Sequence, residues 1–437
     1  MPAPLSHVDG HGGLSPSLPP PTPTHASLLD AFAPRVTITR MLDAWFNDVH
    51  ALAPVLCRRH FLRRIAVGEA DSNPIFCGLV VSVCAATVAT LRRESFGHMT
   101  IETCLDFIER YRLLQPGVSK QTYTPDWCIA IYNLGTAMMA LPNTEEAKMS
   151  SFNAMSQATA GVRYLAYYCI GKMSKMEQEQ VKRLFWLIFV GSVSSDCQGD
   201  LAAGFITHQE NLQHLQLEML TDSELDRDLS MPRSSSSSAF SNWDNICYVA
   251  GLDSLRRLYC VWHDSQTVSP AMLGGPEAAL QHYQERIQQI VDNLPRELRW
   301  RGGLSRPSYV TQGHESQTVN LFVSSLHLRS NLLQKRAEHT PATAAEHQRI
   351  IDDLLEILYH LPPPVFYANG LSLMPKVRDI GAAYLEEMEA SSERTPEVQD
   401  RMARLSSKLS DLDCWPEVPR ISELIRESSC SVSVVQA

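Results

Sequence analysis

From residue 36 onward, apolar side chains return every three or four positions, the period of an α-helix that buries one face. The first such stripe is Leu42, Trp45, Phe46 and Val49, within an expected helix at 36–52 that Pro54 ends. The same spacing predicts helices at 75–92, 100–113, 126–141, 146–171, 177–193, 244–264, 276–293, 316–336 and 344–361. Two more are expected, from Met374 to Met388 and over 396–412. Within 316–336 the expected buried stripe is Val319, Phe322, Val323, Leu326 and Leu333, with Arg329, Lys335 and Arg336 off it. No run alternates apolar and polar residues between turn signals, so no sheet is expected. Helices without a fixed repeat period predict an all-α, irregular multi-helix globule and not a solenoid.

Composition shifts divide the chain further. Residues 1–35 are Pro-rich at their start, with neither a charged leader nor an apolar run, and read as a flexible tail. An all-α domain is expected over 36–415, interrupted at 221–243 by "TDSELDRDLSMPRSSSSSAFSNW", whose charge and serines suit a flexible insertion. Residues 416–437 form an expected C-terminal tail. The uncharged stretch "IFCGLVVSVCAATVATL" at 75–91 is shorter than a typical bilayer span, so a buried helix is expected and no membrane partner.

A formal charge of -10 and a pI near 5.8 argue against a surface built around nucleic acid, because Lys and Arg neutralising phosphates supply most non-specific affinity. Any phosphate contact needs a local basic patch. The one candidate is Arg58, Arg59, His60, Arg63 and Arg64, but Phe61, Leu62 and Ile65 interrupt it, so a solvated helix face is the expectation. The 11 cysteines contain no C-x2-C pair, so neither a zinc knuckle nor a redox dithiol is encoded locally. Cys77 and Cys84, seven apart in an apolar run, read as small buried hydrophobes, and scattered thiols suit a reducing compartment.

Other fragments of chemistry lack their partners. Glu338-His339 and Glu346-His347 flank a Pro-containing loop without a His-Glu-x-x-His pattern. His11-Gly12-Gly13 precedes no Gly-x-Ser-x-Gly nucleophile, and Gly171-Lys172 lacks the glycine of a phosphate loop. No catalytic, cofactor-binding or metal-binding residue is therefore assigned, no cofactor is expected, and the chain reads as not an enzyme.

Five stretches in order resemble the regulatory, or middle homology, region of fungal Zn2Cys6 zinc-cluster transcription factors. Trp45, Phe46, His50, Pro54 and Phe61 match its aromatic opening helix, and "VKRLFWLIFVGSVSSD" at 181–196 is similar to its most recognisable helix through Lys182, Arg183, Phe185 and Trp186. Ser192 stands where that helix usually carries Asp, and Gly199, Asp200 and Leu201 stand where Gly-Arg-Pro is usual. "IQQIVDNLPRELRW" (287–300), "VNLFVSSLHLRSNLLQ" (319–334) and "FYANGLSLMPKVRDIGAAYLE" (366–386) are similar to later helices in the subgroup that includes quinate-utilisation and xylanase activators.

The resemblance implies a nuclear regulator, with the cytoplasm as a second location, of a metabolic or secondary-metabolite gene cluster. Such regulators carry a compact cluster of six cysteines that binds two zinc ions and reads DNA. Here the first cysteine is Cys57, already inside the regulatory region, so direct DNA binding is not expected of this chain. A protein partner is implied instead, such as a full-length zinc-cluster factor, a co-regulator or a second copy. A helical small-molecule-binding protein or enzyme on the same scaffold, and an interaction protein outside transcription, stand as alternatives.

Overall fold

The computed structural model describes residues 27–115, 123–142, 144–199, 215–227, 246–335, 341–390 and 395–412. Among them are 17 α-helices and no strand. In chain order these are α1 (Leu28–Phe32), α2 (Arg35–Ala44), α3 (Arg58–Ala66), α4 (Glu69–Ser72), α5 (Pro74–Thr90), α6 (Ile101–Arg110), α7 (Pro125–Met138) and α8 (Glu145–Tyr164). There follow α9 (Lys175–Cys197), α10 (Asp222–Arg227), α11 (Val249–Thr267), α12 (Pro276–Asp292) and α13 (Gln312–Gln334). The last four are α14 (Pro341–His360), α15 (Pro364–Tyr367), α16 (Gly370–Ala390) and α17 (Pro396–Leu412). No helix among the described residues is long and apolar enough to cross a membrane.

Each helix expected from periodicity is present, and several starts that moved did so at caps. In α9 the start shifts to Lys175 because Ser174 and Glu177 form a capping box. Thr311 accepts from the His314 N–H in the same way, so α13 begins at Gln312 and not at 316. Of the expected helix 36–52, Arg35–Ala44 is α-helical and Trp45–Val49 is a π-turn, closed by His50 N–H donating to the Trp45 carbonyl at 2.8 Å. That extra residue in the turn leaves Trp45, Phe46, Val49 and His50 all buried. Asp222–Arg227, at the front of the expected Ser-rich insertion, is a short helix with Leu225 buried, and within the expected N-terminal tail 1–35 Leu28–Phe32 is a helix with Leu29 in the core; 1–26, 228–243 and the expected C-terminal tail 416–437 lie outside the described residues.

The helices build two apolar cores that share α13. The first gathers α1–α9, α11 and α12, with α5 at its centre, buried on nearly every side, as an apolar helix without a polar face must be. The second gathers α14–α17. From α13, Leu321, Leu328 and Leu332 enter the first core, and Val319, Val323, Leu326 and Leu333 the second. The expected stripe is therefore one of two, and α13 is the partition between the cores.

Candidate functional site

The basic cluster on α3 does not face solvent as a free patch. Arg58 is within 3.2 Å of Asp43, and its backbone N–H donates to Asp222 at 2.6 Å. Arg59 and Arg63 meet the same carboxylate, Asp226, at 3.2 and 2.7 Å. Arg64 bridges Glu69 and Asp126 at 2.7 and 2.6 Å while lying 3.8 Å over the Phe76 ring. The apolar residue that interrupts the cluster is a core residue: Phe61 sits between Phe46 and Phe76, with ring centroids 5.8 and 5.5 Å away. The expected solvated face is present in part: the Arg59 and Arg63 side chains stay about half exposed, at 46% and 47%, Arg58 and Arg64 are mostly covered, and all four are paired with carboxylates.

The basic pair on α9, by contrast, is buried. Lys182 pairs with the fully buried Glu179 at 2.8 Å, and Glu179 also accepts the Glu218 N–H. Arg183 donates to the carbonyls of Pro54 at 3.2 Å and Leu220 at 3.3 Å. Two of the five resembling stretches, around Pro54 and Arg183, are therefore in contact. Gln317 on α13 extends this hub, donating to the carbonyls of Ala51 and Tyr248, each at 2.6 Å. A Cβ on Gly251 would meet the Gln317 carboxamide at 2.3 Å, so only glycine lets α11 come this close. His50 lies among Trp45, Phe46 and Tyr248; burial, helped by Arg183 and Arg58, pushes its pKa down to about 3 and keeps it neutral. These side chains fix loops to helices and offer no reacting atom to solvent.

A second polar seam joins α13 to α16. The buried Lys376 ammonium donates to Ser324 Oγ at 2.9 Å and Asn320 Oδ1 at 3.3 Å, and Tyr259 OH lies 3.5 Å from the same Ser324 oxygen. A Ser-Lys-Tyr grouping is a nucleophile geometry in principle. Here Ser324, Lys376 and Tyr259 are all buried, and neither of the cavities described below reaches them. One turn on, His327 contacts Asp379 at 3.0 Å, but burial outweighs the carboxylate and lowers the His327 pKa, so the contact is a hydrogen bond from neutral imidazole.

Open space occurs on both sides of Trp300, a residue in the 287–300 stretch. One cavity of about 180 Å³ lies among α12, α13 and α14, walled by Ile287, Val291, Phe322 and Ile357. The other, about 220 Å³, is walled by Arg299, Arg301, Arg306, Glu315 and His360. The left-handed glycines Gly302 and Gly303 turn the chain between Arg301 and Arg306, so both arginines reach the same space. Arg306 lies 2.9 Å from Glu315, and Arg301 Nη2 is 3.6 Å from it. Arg301 Nε and Nη1 are buried without a hydrogen-bond partner among the described residues. Trp300 itself is held by its indole N–H, which donates to Glu356 at 3.0 Å. Sequence reasoning missed this region, although a Trp-Arg-Gly-Gly turn with Arg299 before it and Arg306 after it is visible in it.

Cys57, Cys77, Cys104 and Cys128 have pKa values pushed up to about 12 by burial, so these thiols are not nucleophiles near neutral pH. Among the described residues no three His, Cys, Asp or Glu side chains are grouped to hold a metal ion. Of the acidic-histidine pairs, Glu338-His339 lies outside the described residues, and Glu346 is engaged by Arg329 and Arg349. No family model, curated protein or solved structure matches the chain.

Proposed function

We propose that this chain is the regulatory region of a fungal zinc-cluster-type transcription regulator, acting in the nucleus on a metabolic or secondary-metabolite gene cluster through protein contacts. The observation that carries the reading is the ordered set of five stretches, of which those around Pro54 and Arg183 hold each other in place. The contact-based mode is supported by the α3 arginines, each of which has an Asp or Glu at 3.2 Å or less, Arg59 and Arg63 sharing Asp226, on a chain of charge -10. The partner in this reading is a full-length zinc-cluster factor, a co-regulator or a second copy, and the chain itself carries out no catalytic step.

Tethering the chain to an unrelated DNA-binding module at a reporter promoter tests the reading. Reporter output should change severalfold, while the chain alone should leave promoter fragments unshifted at about 150 mM salt. An inert tethered chain, or nanomolar sequence-selective binding by the chain alone, would refute it. A second reading, a small-molecule-binding protein, is favoured by the two cavities that meet at Trp300.

A further inference from the structure

We propose that the two cavities beside Trp300 form one binding site for a small organic monoanion with an apolar body, the carboxylate on the Arg301 side and the body against Phe322. The inference rests on the cavities alone and does not need the transcriptional reading. Two observations give the polar end its chemistry. Arg301 is mostly buried, and two of its nitrogens, Nε and Nη1, face no acceptor among the described residues. A buried guanidinium donor without a partner is costly, and a ligand carboxylate would satisfy it with charge-assisted bonds. The wall also carries more positive than negative charge, since Arg299, Arg301 and Arg306 stand against Glu315.

The apolar end follows from the neighbouring cavity. Trp300 and Phe322 have ring centroids 6.4 Å apart, tilted by 52°, and both wall the smaller cavity with Ile287, Val291 and Ile357. Gln288, Ser325, Arg329, Asp353 and Glu356 also line the wall, so its apolar side is the one formed by Trp300, Phe322, Ile287, Val291 and Ile357; an apolar cavity of about 150 Å³ is large enough for benzene. At about 180 and 220 Å³ the two spaces therefore suit one ring and one carboxylate with a short linker. Inorganic phosphate would engage the arginines but leave the apolar space empty, so an aryl or alkyl carboxylate fits better.

The test uses 4-phenylbutyrate as probe and 4-phenylbutyramide, of the same shape without the charge, as control, titrated calorimetrically into the full chain. The acid should bind about tenfold or more tightly than the amide. Arg301→Gln should erase that difference while leaving the unliganded melting curve in place, and Arg306→Gln, at the more exposed rim, should reduce it less. If Arg301→Gln folds poorly, Phe322→Trp, which fills the apolar space and keeps the arginines, must weaken both ligands. Equal affinity for acid and amide, no binding of either at millimolar concentration, or an undiminished preference in Arg301→Gln would each overturn the proposal.

Discussion

Trp186→Ala is the most demanding test of how the resembling helix α9 works. The indole is fully buried, with Phe185 and Phe189 edge-on at 5.6 and 5.3 Å, its N–H donating to the Leu215 carbonyl at 2.6 Å and the Arg256 guanidinium 4.5 Å above the ring. Truncation to alanine removes one of the largest fully buried side chains of the first core and should cost about 3–5 kcal/mol, from lost transfer energy plus the residual cavity. Trp186→Phe keeps most of the apolar volume and loses mainly the indole hydrogen bond, leaving a buried carbonyl without its donor, so about 1–3 kcal/mol is expected. Arg256→Gln removes only the cation over the ring and should cost about 1 kcal/mol or less.

Guanidinium unfolding followed by far-ultraviolet circular dichroism reads the series without relying on tryptophan emission. With a slope of roughly 6–8 kcal/mol per molar for a chain of this size, the alanine variant should shift the midpoint by about 0.5 M. The ordering matters more than any single value. A midpoint unmoved by Trp186→Ala, or a phenylalanine variant as damaged as the alanine one, would mean that volume in the core is not what this ring supplies.

Three further outcomes are expected. Gly251→Ala should destabilise by about 1–3 kcal/mol through overlap with Gln317, and Gln317→Ala in the same chain should recover part of the loss, a coupling that a double-mutant cycle measures and strict additivity would exclude. Unfolded His50 protonates near 6.5 but the folded residue only near 3, so between those values the unfolded state binds more protons and acid favours unfolding; His50→Gln should flatten the fall in stability from pH 6.5 toward 3, and an unchanged pH profile would contradict the buried neutral imidazole. Site-resolved alkylation near neutral pH should leave Cys57, Cys77, Cys104 and Cys128 unmodified until the chain unfolds, and rapid native labelling of any of them would count against its burial.

Helix identity was legible in the chain because helical periodicity is local: each stripe lies within a few turns, and burial of one face rewards the same spacing wherever the helix packs. Some missed boundaries were legible too, since Ser174-x-x-Glu177 is a capping signal carried by four neighbouring residues. Even the double role of α13 left a trace, in Leu321, Leu328 and Leu332 recurring beside the stripe that ends at Leu333.

The fate of the charges could not be read this way. Arg64 meets Asp126 at a separation of 62 residues, Arg63 meets Asp226 at 163, and Arg183 reaches Pro54 at 129. No local pattern encodes such pairs, so the carboxylates and carbonyls that meet these arginines are decided by packing alone. The space beside Trp300 has the same origin. It exists because α12, α13, α14 and the turn at Gly302 and Gly303 converge there, and only their relative placement leaves Arg301 with donors that no acceptor among the described residues meets.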